Sequence, residues 1–168
     1  QFAQRGYAVL VQDARGRYES EGAWDPFRAE GPDGYDTVEW AARQPWCSGR
    51  VGMNGISYYA SNQWRAAAMQ PPHLAAICVW EGWNDAYRES ARHGGIICSF
   101  RKNWQDMQVK TVQHGQGERG ARSRVTGELA CGPETLSPEE LARNREDMWH
   151  EFLSREMDGP YYRERSAD

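Results

Sequence analysis

The sequence predicts an α/β fold, a parallel sheet with helices on both faces. Three observations lead there. Apolar runs at residues 7–13, 50–55 and 74–80 have the length of buried strands. Stretches with helical spacing separate them. Glycine or proline stands at the junctions, where such elements turn. Alternation of strands and helices in this order argues for a parallel sheet.

The elements follow in order. Residues 2–6 look like the last turn of a helix closed by Gly6, so the chain is expected to begin within a domain. The run at 7–13 reads as a buried parallel strand. A polar loop containing glycine extends from Arg17 to Gly31. Pro32 and Asp33 then open a helix that runs through Gln44, with Tyr35, Val38 and Ala42 on one face and Pro45 as its stop. The second strand ends in Gly55. A helix starting at or just after Ser57 reaches about Met69 and is ended by Pro71 and Pro72. Leu74 to Trp80 forms the third strand.

The pattern changes after Trp80. Residues 86–113 are expected to be helical and amphipathic, carrying Tyr87, Trp104, Met107 and Val112. Residues 114–127 read as a loop. Ser137, Pro138 and Glu140 form a helix start with a capping box. The stripe of that helix is Leu141, Met148 and Phe152, and Gly159-Pro160 ends it. The expected division is an α/β part over residues 1–85 and a helical part over 86–168.

Composition excludes several function classes. A net charge of -4 without a basic stripe argues against nucleic acid as a partner. No apolar run approaches the roughly 20 residues of a membrane span. No signal peptide is expected from these residues, and Gln1 rather than a Met opens the sequence. The four cysteines (Cys47, Cys78, Cys98, Cys131) are widely spaced with no Cys-x-x-Cys pair. They read as reduced, mostly buried thiols rather than a zinc or disulfide framework. The location expected is cytoplasmic. Eight Trp and eight Tyr suit either an aromatic core or a substrate pocket, and composition does not separate the two.

The informative segment is Gly52-Met53-Asn54-Gly55-Ile56-Ser57-Tyr58-Tyr59-Ala60. A serine on a sharp strand-to-helix turn is held in a strained backbone, with its hydroxyl above the sheet. The residue two before it must be small, and Gly55 is. The N–H of Tyr58 would face the same space and could hold an oxyanion, helped by the helix N-terminus. The match to Gly-x-Ser-x-Gly is incomplete, since Tyr59 stands at the second glycine. A Gly-x-Ser tripeptide alone is more simply a helix N-cap. The strand before it, the helix after it and the strand beyond favour the nucleophile.

Three stretches resemble the cocaine-esterase-like and Xaa-Pro dipeptidyl-peptidase-like (CocE/NonD) serine hydrolases of the α/β-hydrolase fold. They are Gln12 to Gly22, Glu30 to Trp40 with Gln44-Pro45-Trp46-Cys47, and Gly52 through Tyr58. Ala60 replaces a glycine of that family's nucleophile turn. The likeness covers about residues 1–80, and residues 81–168 fit only loosely a helical cap. It implies a partial hydrolase core, a partial cap and a Ser-His-Asp triad in which Ser57 attacks an ester or peptide carbonyl without a cofactor or metal. It also implies that the triad's acid and histidine, and a second oxyanion donor, lie outside these residues. The family's third strand would lie between residues 7–13 and 51–54. The chain therefore looks like a fragment, and alone it is expected not to be a competent hydrolase. The competing class is a scaffold that keeps the fold without the chemistry.

A local triad is the alternative. Asp85 and His93 follow Ser57 in the order Ser, Asp, His. Only eight positions separate them, and no strand holds His93. Their simpler roles are a turn cap and a surface position. Trp80, Trp83 and Tyr87 follow the end of a strand, where open α/β sheets bind ligands. They would line an acyl pocket or pack in the core. His73 and His114 read as loop residues and His150 as an exposed helix residue, with no metal-site spacing.

Overall fold

The computed structural model describes residues 1–17, 20–109, 122–129 and 147–167. They fall into two compact units. The first holds Gln1–Gln12, Asp25–Gly95 and Asp158–Asp168; the second holds the described parts of Asp13–Trp24 and Ile96–Met157.

The first unit contains helix α1 (Glu30–Ala42), strand β1 (Val51–Ile56), helix α2 (Tyr58–Ala68) and strand β2 (Leu74–Trp80). The strands pair in parallel, with Gly52 opposite Ala76 and Ile56 opposite Trp80. A parallel pair needs a crossover, and α2 supplies it. The chain is α/β, as the sequence predicts. α1 starts at Glu30, ahead of the expected Pro32. Pro32 still lies in the first turn, where its missing N–H breaks no helical bond.

Small residues let the layers approach. A Cβ at Gly34 would lie 2.8 Å from the Ala66 Cβ, so α1 and α2 meet almost backbone to backbone. Phe27, Val38, Ala41, Ala60 and Ala66 form the core here. Fully burying a Val or Phe side chain stabilises by about 1.5–3 kcal/mol. α2 packs on both strands. The alternate residues Gly52, Asn54, Ile56, Ala76, Cys78 and Trp80 are exposed on the sheet's other face.

Residues 7–13 differ from expectation. They form no strand; Tyr7 is 65% and Val11 86% exposed. Their apolar composition suits a strand, but a strand exists only with a hydrogen-bonding neighbour, and none lies beside them among the described residues. The preceding 3-10 turn Ala3–Arg5 is closed by Gly6 at φ 85°, as expected. Thr37 donates to the Gln12 side chain at 2.7 Å.

The helix expected over 86–113 is also broken. A π-type turn spans Ala86–Ala91 and a short helix spans Phe100–Trp104. Gly94 and Gly95 lie between them at φ 60° and 85°, left-handed values that interrupt a right-handed helix. Cys47, Cys78 and Cys98 are free. None of these three is buried, contrary to expectation, and Cys78 lies on the exposed sheet face; Cys131 is outside the described residues.

Near the C-terminal end, Pro160 opens the short helix Pro160–Arg163 instead of closing one. Proline at a first helical position is preorganised for it. Tyr162 from this helix is 1% exposed. Its ring packs edge-on against Tyr87 at 5.1 Å. The Ala167 N–H donates to the Asn84 carbonyl at 2.9 Å, holding this segment on the first unit.

In the second unit, Arg17 stacks its guanidinium over the Trp24 ring at 3.3 Å. Trp24 in turn lies 6.4 Å from Trp104. The helix Met148–Ser154 is capped by Asp147, which accepts from the His150 N–H. Met148 and Phe152 are buried, as the expected stripe requires. Residues 114–121 of the loop expected at 114–127, and the helix start at Ser137, with His114, Glu140 and Leu141, lie outside the described residues. No helix among the described residues is long and apolar enough to cross a membrane.

Candidate active site

Ser57 stands at the corner between β1 and α2. Its φ of 59° and ψ of -114° are values that a residue with a Cβ rarely adopts. Such a conformation costs about 1–3 kcal/mol and persists only where the surroundings fix it. The Ser57 N–H donates to the Trp80 carbonyl at 2.9 Å, which ties the corner to the end of β2. The Ser57 carbonyl accepts from Ala60 and Ser61, beginning α2. The side chain makes no capping hydrogen bond and is exposed. The plain N-cap role considered from sequence is therefore not what this hydroxyl does.

The close approach expected of Gly55 is present. A Cβ there would collide with the Tyr59 Cβ. The alanine that departs from the glycine pattern is accommodated on the other side of α2. Ala60 is fully buried, and a Cβ at Gly82 would lie 2.8 Å from the Ala60 Cβ. Glycine at 82 leaves the space that alanine at 60 fills. Tyr58 holds the first position of α2, where backbone N–H groups point out of the helix end.

A polar and aromatic cluster lies behind this corner. The Tyr58 hydroxyl donates to Oε1 of Glu30. Glu30 is only 8% exposed, and its Oε2 is buried without a hydrogen-bond partner. Burial pushes the Glu30 carboxyl up, and the Tyr58 hydrogen bond, the backbone N–H groups of Glu30 and Phe27 and the Arg65 charge only partly offset this. Arg65 is also buried. Its Nε donates to the Phe27 carbonyl at 3.0 Å, its Nη1 to the Ser61 carbonyl at 2.7 Å and its Nη2 to the Arg165 carbonyl. Its guanidinium lies 4.2 Å over the Trp83 ring. The Phe27 ring sits 4.6 Å from both Tyr58 and Trp83. Phe27 and Glu81 also have positive φ, so strained residues gather around the corner.

The other sequence candidates are placed as follows. Trp80 is 62% exposed beside the corner. Trp83 is half-buried in the Phe27–Arg65 stack, and its N–H donates to the Ser61 hydroxyl at 3.1 Å. Tyr87 packs on Tyr162. Asp85 caps its own turn, accepting from the Tyr87 and Arg88 N–H groups at 2.9 and 2.7 Å and pairing with the Arg88 guanidinium at 2.7 Å. Burial acts to raise the Asp85 carboxyl, but the Arg88 and Tyr87 bonds and the Arg88 charge hold it below the usual range. His93 Nε2 is 2.7 Å from the Glu89 carbonyl. His73 pairs with Glu39 at 2.8 Å, and His150 is exposed. No hydrogen bond joins Asp85 or His93 to Ser57 among the described residues.

The X-Pro dipeptidyl-peptidase (S15 family) model matches residues 1–168. The chain belongs to this family. Cocaine esterase of Rhodococcus sp. (strain MB1 Bresler) is 42% identical over 88 residues, which are 52% of this chain and 15% of that enzyme. A CocE/NonD family hydrolase from Staphylococcus aureus superposes with a TM-score of 0.65 at 31% identity, covering 91% of this chain and 23% of that one. An aminopeptidase from a Thaumarchaeota archaeon superposes with a TM-score of 0.57 at 17% identity, a likeness of fold alone. The chain thus spans a small part of these relatives. The family and the Rhodococcus and Staphylococcus relatives are hydrolases.

Sequence reasoning singled out neither Glu30 nor Arg65. The four-residue spacing of Ser61 and Arg65 puts both on one face of α2, which is a signal that Arg65 turns inward. Nothing local marks Glu30 as buried, because charged residues are rarely buried unless paired and its partner is 28 positions away.

Proposed function

We propose that the whole protein carrying this sequence is a serine hydrolase of ester or peptide acyl bonds, with Ser57 as nucleophile. The observation that supports this best is the exposed, uncommitted Ser57 hydroxyl at a backbone φ of 59° between strand and helix. In this reading Ser57 Oγ attacks the acyl carbonyl and forms an acyl-enzyme, which water then hydrolyses. The Tyr58 N–H stabilises the tetrahedral oxyanion from the helix end. The Asp and His of the triad, and a second oxyanion donor, come from parts of the protein beyond these residues. Asp85 and His93 serve the local turn instead. Trp80, an exposed aromatic at the corner, meets the substrate. The described residues of Ile96–Met157 contribute to a helical cap.

A chromogenic ester tests the reading by pre-steady-state kinetics on the whole protein. The expected result is a burst of one leaving group per Ser57, abolished in Ser57→Ala, with turnover reduced by about 10⁴-fold or more. A Ser57→Ala protein that keeps its turnover would overturn it. The 168-residue chain alone is expected to give no turnover. Steady, Ser57-dependent ester hydrolysis by that chain would favour the local Asp85–His93 triad instead.

A further inference from the structure

We propose that Glu30 is a positioning residue for the nucleophile corner, acting through the Tyr58 phenol. The inference rests on Ser57 being the nucleophile and adds a residue to its machinery.

The argument starts from connectivity. Tyr58 follows Ser57 directly and carries the N–H assigned to the oxyanion. A residue at the first turn of a helix frays unless something outside the helix holds it. The Tyr58 side chain is held at both ends. Its ring packs against Phe27 at 4.6 Å, and its hydroxyl donates to Glu30 Oε1. Glu30 is the first residue of α1, a separate helix fixed against α2 by the close approach of Gly34 to Ala66. The link therefore couples the corner to a rigid element rather than to a loop.

The surroundings suit a positioning role better than a purely stabilising one. Burying a carboxyl with one orphaned oxygen is unfavourable. An apolar residue in that place would avoid the penalty, but it could not orient the phenol. Arg65 is the charged group facing the pair, and its guanidinium is engaged by the Phe27, Ser61 and Arg165 carbonyls. Glu30 instead meets a neutral phenol whose hydrogen bond is directional. Positioning matters here because a small displacement of an oxyanion donor or nucleophile is expensive in rate. A misplacement of roughly 1 Å can lower the rate by about 10²-fold.

The test measures the rate of fluorophosphonate labelling at Ser57, together with kcat and KM for an ester, in the whole protein. Glu30→Ala and Tyr58→Phe remove the same hydrogen bond from opposite ends, and Tyr58→Phe does so by deleting a single oxygen. Each is expected to slow labelling and kcat by about 10- to 100-fold with KM within about threefold. The double variant should be no slower than the slower single one, because both break one link. Glu30→Gln keeps an acceptor for the phenol and should recover most of the rate. If the wild-type protein labels at Ser57 and both single variants label at the wild-type rate, Glu30 holds structure only and the inference falls. It also falls if Glu30→Gln is as slow as Glu30→Ala. If the wild-type protein does not label at Ser57, the nucleophile assignment falls, and this inference with it.

Discussion

Ser57 and Asp85 both stand where a strand or its exit gives way to a helical turn, yet they are used in opposite ways. Asp85 sits in an ordinary extended conformation, and its carboxylate is engaged by two N–H groups and a guanidinium. Ser57 sits in a strained conformation, and its hydroxyl caps nothing. One residue is committed to the stability of its turn. The other is held by its neighbours, at a conformational cost, with its hydroxyl left uncommitted. This contrast supports the proposed role of Ser57: its hydroxyl has no structural employment in a place that costs free energy to maintain.

The contrast can be broken or sharpened by substitution. Gly55→Val should have the largest effect of the variants that leave Ser57 itself in place. Its side chain would drive into Tyr59 and displace the corner. Labelling at Ser57 should fall by about 10²-fold, and stability by about 1–3 kcal/mol, as measured by labelling kinetics and urea unfolding. Asp85→Ala should do the reverse, lowering stability by about 1 kcal/mol through loss of a cap. Turnover should stay within twofold, roughly the scatter expected away from the reacting atoms. A collapse of turnover with unchanged stability would return Asp85 to the triad.

The Asp85 cap also has a pH signature. Its carboxyl is held below its ordinary value in the folded state. Its stabilisation is therefore fully present above the unfolded value of about 3.9. It is lost as pH falls through the lower folded value. Acid unfolding of wild type and Asp85→Ala should accordingly converge below that window and diverge above it. His93→Ala is expected to have the smallest effect. It removes one exposed contact to the Glu89 carbonyl, worth about 0.5–1.5 kcal/mol at most, with no change in labelling rate.

Some of this organisation was legible in the sequence. β1, α2 and β2 could be read because apolar runs, Gly55 and Pro71-Pro72 are local signals, and the Ser57 corner followed from that setting. Residues 7–13 read like a strand by the same rules and form none, since composition nominates a strand but a neighbour makes it. Gly94 and Gly95 broke a helix whose apolar spacing concealed the interruption. Pro160 started a helix where it was expected to stop one, because proline signals both and only the following residues decide. The Glu30–Tyr58 link and the Arg65 stack depend on partners 28 and 38 positions away. No window of local sequence holds that information.

The nucleophile assignment is tested most directly by mapping the adduct. The whole protein is treated with a fluorophosphonate, digested and sequenced by mass spectrometry. The expected result is one phosphonyl group per chain, on the peptide containing Ser57, added more slowly while a competing ester substrate is present. A protein that hydrolyses esters while carrying the group on a different serine, or while leaving Ser57 unmodified, would contradict the account.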